Sequence, residues 1–251
     1  MTLLEAIAVL LAGVAAGTVN AVVGSGTLVT FPVLLAVGFA PVTANVSNTV
    51  GLVPGSLSAV WGYRKELAGQ RRRMVRYGLA SLLGGSIGAA LLFALPESAF
   101  EAIVPVMIAI ALLLVIFQPR IARWLAARRP AHASPDGGTG SAVLTVGSGV
   151  YGGYFGAGQG ILLIAILGLT LDDELHRVVA LKNVCAGLVN LIAGIVFILV
   201  ADVDWRVVAL IAVGSTAGGL LGARIGRRLP APALRVVIVL VGIAAMLQLL
   251  T

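Results

Sequence analysis

The sequence predicts an all-α integral membrane protein with two inverted-topology repeats, each a re-entrant helical hairpin followed by three transmembrane helices. Composition, the placement of the basic residues and an internal repeat lead to this fold class. Of the 251 residues, 59% are hydrophobic and 11% are charged, whereas a soluble domain carries about 25% charged residues. The mean hydropathy is +1.07, and several apolar stretches reach the roughly 20 residues that cross a hydrocarbon core of ~30 Å. We therefore expect one integral membrane domain, with room for about eight to ten membrane segments.

The net charge of +7 does not indicate a nucleic-acid-binding protein. The basic residues lie in short loops between apolar segments, where membrane topology places them. We therefore expect a multi-pass protein of the cell membrane, with the lipid bilayer and no nucleic acid as partner; a homo-oligomer is left open. The apolar N-terminus contains Glu5 and no Lys or Arg before its hydrophobic run, so it is predicted to be a retained membrane segment rather than a signal peptide.

The first membrane repeat is predicted to cover residues 1–118. Its apolar segments are 3–23, 27–38, 43–62, 77–95 and 100–118. A strongly basic loop lies at 64–76 between the third and fourth segments. The stretch 119–140 is Arg-rich and then rich in Gly and Pro, which predicts a cytoplasmic linker to the second membrane repeat at 141–251.

The second half repeats the first at a nearly constant offset. Seven positions recur 134 residues later, so that Ser81, Gly84, Gly85, Gly88, Ala89, Leu95 and Pro96 match Ser215, Gly218, Gly219, Gly222, Ala223, Leu229 and Pro230. Gly24-x-Gly26 recurs as Gly156-x-Gly158, and Asn48 recurs as Asn183. Coincidence in a chain with 32 glycines is the alternative, but a constant offset over seven positions favours a true repeat. Repeats in a membrane protein indicate a transporter.

Each half also contains a predicted break in an apolar run, at Gly24-x-Gly26 and at Gly156-x-Gly158. Glycine in a helix interior costs roughly 1 kcal/mol against alanine, so two in three residues favour a break. In lipid, a break leaves backbone groups unpaired, and it survives only where protein buries it or where it lines a polar cavity. We therefore predict that the two breaks meet near the bilayer midplane and form one anion site.

The basic residues distinguish two topologies. If each break turns the chain back, 16 of the 17 Lys and Arg residues lie on one side and only Arg206 lies opposite. If each break is a kink in one spanning helix, the count is 11 against 6. The positive-inside rule favours the turned-back arrangement, with both termini outside the cytoplasm. That arrangement leaves the acidic stretch 172–174 on the cytoplasmic side, which is acceptable because acidic residues count little in this rule.

The helix starts after the breaks are the candidate anion site. Thr27 and Gln159 each begin an apolar run, and the first N–H groups of such a helix are unpaired and carry roughly half a positive charge. Two starts pointing inward would attract an anion without a metal or cofactor, although tight packing of small residues is the alternative explanation of the glycines. The predicted substrate-binding residues are Asn20, Gly24, Ser25, Gly26, Thr27, Asn45, Ser47, Asn48, Gly156, Gly158, Gln159, Lys182, Asn183 and Asn190.

Two of these residues have competing interpretations. Lys182 either pairs with an anionic substrate inside the membrane or snorkels to the cytoplasmic interface. Asn190 lies seven residues beyond Asn183, on the same helix face, and is either a substrate ligand or an interhelical hydrogen-bond partner.

No residue pattern predicts catalysis or metal binding. His132 lies in the linker and His176 in a loop, so the sequence contains no His cluster for a metal. Ser25 has no His or Lys partner nearby in the sequence, which argues against nucleophilic catalysis. We therefore predict no catalytic residue and no cofactor. Membrane-interface anchors are expected at three predicted segment ends, which carry Trp61, Trp124 and Trp205.

Several of these motifs resemble the TauE/SafE family of membrane permeases, the sulfite-exporter family. The resemblance rests on NAVVGSGTLVTFP at 20–32, GAGQG at 156–160, Leu181-Lys182-Asn183 followed by Asn190, Val203-Asp204-Trp205, and the Gly-Gly-x-x-Gly-Ala segment at 218–223. It covers essentially the whole chain and implies movement of sulfur-containing anions such as sulfite, sulfoacetate and other organosulfonates. The first motif reads GSGT where many members carry more glycine, so the choice of substrate within this class is open.

The predicted function is a transporter of a small sulfur oxyanion or sulfonate, working by alternating access around the paired hairpins. An anion channel with the same fold is one alternative, because the sequence does not separate the two. A membrane enzyme acting on a lipid phosphate is another. It would need acid–base residues and an Arg near the break, and none lies within several residues of Gly24 or Gly158. The direction of transport and the coupling ion are undetermined.

Overall fold

The computed structural model describes residues 1–127 and 136–225, together with residues 239, 240 and 243. This part of the chain is helical and contains no strand, as the composition predicts. Its helices are α1 (Leu3–Val22), α2 (Thr27–Ala36), α3 (Pro41–Gly62), α4 (Arg71–Ala94), α5 (Glu97–Ala127), α6 (Thr139–Tyr154), α7 (Gln159–Thr170), α8 (Leu175–Val200) and α9 (Trp205–Ile225).

Five helices of the described part are long and apolar enough to cross a membrane. These spans are Leu3–Val22, Arg71–Ala94, Glu97–Ile121, Leu175–Val200 and Trp205–Arg224. α2 and α7 are apolar but shorter, at 10 and 12 residues. The protein is therefore a multi-pass membrane protein.

Two helix boundaries differ from the sequence prediction. α4 begins at Arg71, six residues before the predicted segment, because arginine is a good helix former and Gly69, at φ +79°, supplies the turn before it. α5 continues to Ala127, well into the predicted linker, and contains Pro119. The segment 119–127 is rich in Ala, Leu and Arg, which favour a helix over a linker. The rest of the linker up to residue 135, and the tenth predicted segment apart from residues 239, 240 and 243, lie outside the described residues.

Glycine contacts show that α1 and α3 run parallel to α9. A Cβ built on a glycine of one helix would meet the other helix at successive turns, at the pairs Gly214–Leu10, Gly218–Val14 and Gly222–Thr18. The pairs that join α3 to α9 are Gly51–Ile211, Gly55–Ser215 and Gly62–Ala223. Small residues allow this close approach of helix backbones in membranes. We call α1, α3 and α9 the α9 bundle.

The helices α4, α6 and α8 form a second parallel group, which we call the α4 bundle. Glycine contacts join α4 to α6 at Gly84–Val146 and Gly88–Val150, and α4 to α8 at Gly78–Leu188 and Gly85–Ile192. The two bundles meet where α3 packs antiparallel against α8, at the pairs Gly187–Ser56 and Gly194–Val50.

The contacts within the two bundles repeat each other. Gly84 faces the Val146 carbonyl in the α4 bundle, and Gly218 faces the Val14 carbonyl in the α9 bundle. Gly218 lies 134 residues after Gly84, and Val146 lies 132 residues after Val14. Both differences also occur as offsets in the sequence repeat. Each bundle therefore combines the first and third helices of one half with the fourth helix of the other half. We call this packing exchanged, because each bundle contains helices of both sequence halves and neither half forms a bundle of its own.

A charged cluster joins the first turns of α4 and α8 to the loops before α6 and after α7, at one end of the molecule. Arg73 forms ion pairs with Asp173 and, at 3.6 Å, with Asp136, and Asp173 also accepts from Arg177 at 2.8 Å. Partial burial acts to raise the pKa of Asp173, but hydrogen bonds from Arg73 and Arg177 outweigh it and hold this pKa below its ordinary value. The cluster gives the acidic stretch 172–174 a role at this end of the molecule, because Asp173 forms ion pairs with two arginines there.

The close approach of α4 and α6 predicts a stability difference between two glycine substitutions. In Gly84→Ala the new Cβ would overlap the Val146 carbonyl, so we expect a loss of about 1–3 kcal/mol in the free energy of unfolding. The matched control is Gly147→Ala on α6, where a Cβ meets nothing within 4 Å, and there we expect no loss. Thermal unfolding of purified protein in detergent measures both. Equal stability of the two variants would contradict this packing.

The Asp173 cluster predicts an acid dependence of stability. A carboxylate with a depressed pKa stabilises the fold above the ordinary Asp pKa of about 3.9, and the contribution is lost as the pH falls through the lower folded value. We expect Asp173→Asn to lose about 1–3 kcal/mol at pH 7, and to show a smaller further loss than the wild type below about pH 4. The neighbouring variant Asp172→Asn should behave as the wild type in the same unfolding series. A wild-type pH profile in Asp173→Asn would refute the assignment.

Candidate functional site

The two helix breaks are in direct contact. The Gly160 amide, at the start of α7, donates to the Gly24 carbonyl at 3.0 Å. A Cβ on either of these residues would overlap the backbone of the other. Gly24, Gly156 and Gly158 also have φ values of +87°, +81° and +77°, a region that L side chains rarely adopt. Glycine is therefore required here both by conformation and by close approach.

The starts of α2 and α7 carry no side-chain cap. Thr27, the first residue of α2, faces the second break, since a Cβ on Gly156 would lie 4.0 Å from Thr27 Oγ1. Gln159, the first residue of α7, turns back instead, and its side-chain amide donates to the Ser148 carbonyl at 3.1 Å. The two repeats therefore present different groups at equivalent helix starts.

A small polar cluster lies beside the start of α2. Asn48 Nδ2 donates to Thr27 Oγ1 at 3.4 Å, and Thr30 Oγ1 donates to Asn48 Oδ1. Asn45, one turn earlier on α3, donates through Nδ2 to the Tyr154 carbonyl at 3.0 Å, at the end of α6. These side chains are buried, so α3 carries polar groups to both breaks.

Lys182 lies at the end of α1 and does not snorkel to the interface. Its side chain is fully buried, and Nζ donates to Asn20 O at 2.8 Å, Ala21 O at 3.4 Å and Asn183 Oδ1 at 2.7 Å. Asn183 Nδ2 adds a bond to the Ala21 carbonyl at 3.2 Å. An ammonium has three donors, so all three are used. They stabilise the carbonyl end of α1, where the helix dipole is negative.

Several buried polar atoms near the breaks have no hydrogen-bond partner among the described residues. They are Ser25 Oγ, Asn45 Oδ1, Ser148 Oγ and Tyr154 OH. Buried polar groups in folded proteins are nearly always paired, and an unpaired one costs about 1–3 kcal/mol. These atoms leave hydrogen-bonding capacity for a water molecule or a bound solute.

The other predicted site residues lie elsewhere or face another helix. Ser47 accepts from the Asp204 amide at 2.9 Å, and Asn190 donates to Ser56 Oγ at 3.2 Å across the α3–α8 interface. Gly26 packs against the Ala16 carbonyl of α1, and Gly158 packs against Ala111 of α5. For these four residues, as for the rest of the predicted set, a substrate-binding role stays a prediction.

Four residues at the breaks are absent from the predicted set: Thr30, Ser148, Tyr154 and Gly160. Thr30 follows Thr27 by three residues and so lies on the same helix face, a spacing that the sequence makes visible. Gly160 is the last residue of the GAGQG run, and such a run of glycines is typical of a place where two backbone segments approach closely. Ser148 and Tyr154 carry no such signal. Among the described residues, no group of three or more His, Cys, Asp or Glu side chains could hold a metal ion.

The contacts of Lys182 predict a structural role that can be measured. Lys182→Met leaves the Asn20 carbonyl without its donor, and we expect a loss of about 2–3 kcal/mol in the free energy of unfolding. Lys65→Met, which replaces the other lysine of the chain at an exposed position, should leave stability unchanged. Denaturant or thermal unfolding in detergent measures both variants. Wild-type stability of Lys182→Met would show that these hydrogen bonds do not hold the end of α1.

Comparison with known proteins finds relatives that are described as probable membrane transporter proteins. A probable membrane transporter protein of Haemophilus influenzae is 26% identical over 212 residues, 84% of this chain and 81% of that protein. The probable membrane transporter protein ORF9 of Sinorhizobium is 27% identical over 237 residues, covering 94% and 88%, and YfcA of Escherichia coli, a probable membrane transporter protein, is 25% identical over 216 residues, covering 85% and 76%. The family described as Sulfite exporter TauE/SafE matches residues 9–249, and the chain belongs to this family.

Proposed function

We propose that the protein transports a small sulfur-containing anion, such as sulfite, sulfoacetate or another organosulfonate, through a site at the two helix breaks. The family supports the substrate class. The observation that carries the site is the contact between Gly24 and Gly160, because it brings two uncapped helix starts together inside the protein. We assign the protein no enzymatic role.

The directions of the helices support re-entrant hairpins in both halves. α1 and α3 both run parallel to α9, so the chain has to return between them, and α2 is the helix that connects them. In the second half, Arg73 contacts Asp136 before α6 and Asp173 after α7. Both ends of the α6–α7 pair therefore lie at the same end of the molecule, as a hairpin requires.

The antiparallel packing of α3 on α8 supports inverted repeats. Because the halves are exchanged, the moving units in alternating access would be the α9 bundle and the α4 bundle rather than the two halves of the sequence. Their shared surfaces are the α3–α8 interface and the Gly24–Gly160 contact. Motion of one bundle against the other would open the site to each side of the membrane in turn.

The chemistry of the site suits an oxyanion held by neutral donors. Asn45 and Asn48 contribute amides and Ser25 and Thr27 contribute hydroxyls, and the positive end of the α2 dipole lies beside Thr27. Lys182 supplies a buried positive charge near the break, although its donors bond to α1 and Asn183. We therefore propose that Lys182 favours anion binding in two ways, through its positive charge and by holding the end of α1 in position, without contacting the anion.

Flux in proteoliposomes tests the proposal. We expect saturable uptake of radiolabelled sulfite, inhibited by sulfoacetate, and at least a tenfold loss in Asn48→Ala, because one hydrogen bond to a charged group contributes about 1.5–3 kcal/mol. Ser86→Ala is the control, since it removes a side-chain hydrogen bond within α4 and leaves the breaks and the α3–α8 interface intact, and it should retain flux. Both variants are first checked for thermal stability.

The outcomes separate the alternatives. Flux that rises linearly with sulfite concentration would indicate a channel and contradict alternating access. Wild-type flux in a folded Asn48→Ala variant would place the anion elsewhere. A purified protein that neither moves these anions nor gains thermal stability from them would reject the proposed substrate class.

A further inference from the structure

A basic pocket lies at the end of the molecule where α3 and α9 finish side by side. Gly62, the last residue of α3, packs on Ala223 of α9. The loop after α3 covers one side of the pocket and the last turn of α9 covers the other. The cavity is about 270 Å³ and is lined by Trp61, Arg64, Lys65, Leu220 and Arg224, among others. It is separate from the helix breaks.

The pocket carries an excess of positive charge. Arg64, Lys65 and Arg224 are exposed, and among the lining residues Glu66 is the single carboxylate. None of these three cations forms an ion pair with a residue that the structure describes. The pocket therefore presents three cationic side chains that no described carboxylate neutralises through an ion pair.

An aromatic ring shapes one wall of the pocket. The Arg64 guanidinium lies 4.3 Å from the centre of the Trp61 ring, and its NH1 donates to the Trp61 carbonyl at 3.1 Å. Stacking and the hydrogen bond hold the guanidinium in one place. Trp61 itself is 55% exposed, and an exposed tryptophan at the end of a membrane helix is typical of the level of lipid headgroups.

Each of the two helices that form the pocket carries an exposed leucine near it. Leu57 is 55% exposed and lies four residues before Trp61, so it is one turn deeper along α3. Leu221 of α9 is 44% exposed and neighbours Leu220 in the pocket wall. A ligand that binds here would have its anionic group among the cations and an apolar part against these leucines.

We propose that this pocket binds the headgroup of an anionic phospholipid, with an acyl chain lying along Leu57 and Leu221. Basic pockets between transmembrane helices recognise anionic lipid headgroups through phosphate. A small water-soluble anion would use the cations but not the exposed leucines. A bound lipid would bridge the ends of α3 and α9, which both belong to the α9 bundle, and would stabilise that bundle.

The test compares lipids and variants in mixed micelles. Dioleoylphosphatidylglycerol, at about ten times its dissociation constant, should raise the wild-type Tm by about 2–4 °C relative to dioleoylphosphatidylcholine. The variant Arg64→Gln/Lys65→Gln/Arg224→Gln should lose most of this difference. The matched control Arg71→Gln/Arg120→Gln/Arg123→Gln removes three exposed arginines elsewhere and should keep it. Native mass spectrometry should show retained phosphatidylglycerol in the wild type and in the control variant.

Three results would overturn the proposal. Equal losses in both triple variants would mean non-specific attraction to the basic surface. An unchanged lipid effect in Arg64→Gln/Lys65→Gln/Arg224→Gln would place the lipid elsewhere. Equal stabilisation of the wild type by glycerol phosphate would identify a water-soluble anion, and not a lipid, as the occupant.

Discussion

Each helix break leaves backbone groups unpaired inside the protein, and the pairing of these groups is the constraint on which this structure depends. The hydrocarbon core around a membrane protein supplies no water, so the protein itself has to pair them. Lys182 and Asn183 bind the carbonyl end of α1, Asn45 binds the carbonyl end of α6, and the Gly160 amide binds the Gly24 carbonyl. In each half, polar groups of the third helix, α3 or α8, bind backbone carbonyls at the break in the other half. The breaks are stable only because the two halves are packed together.

Close helix packing by small residues provides the second requirement. Within lipid there is little hydrophobic force between helices, so association depends on contact area and short backbone distances. Glycines on α4 and α9 face carbonyls on α6 and α1, and they do so at equivalent positions of the repeat. This packing places helices of both halves in each bundle. The same arrangement that holds the breaks in contact also defines two bodies that could move relative to each other.

The prediction from sequence succeeded where the signal was local or compositional. The membrane class and the helix starts at Thr27 and Gln159 follow from hydropathy and glycine spacing, and the inverted repeat stays a prediction. Boundaries in the basic segments were wrong. The segments 71–76 and 119–127 are helical, because charged helix formers look like loop residues in a hydropathy pattern. The two interpretations of Lys182 could not be separated, since both place a cation near a membrane helix.

Hydropathy and glycine spacing are enough to predict that this chain enters a membrane and that helices end near Gly24 and Gly156, because these properties depend on residue type and order along the chain. The contacts between side chains are visible only once the chain is folded. Lys182 hydrogen-bonds to Asn20, which is 162 positions away in the sequence, and Asn45 hydrogen-bonds to Tyr154, which is 109 positions away. Asn190 hydrogen-bonds to Ser56 and not to a helix break. Helical periodicity indicates the face on which a residue lies. The partner on that face is set by the exchanged packing of the two halves, which no local pattern contains.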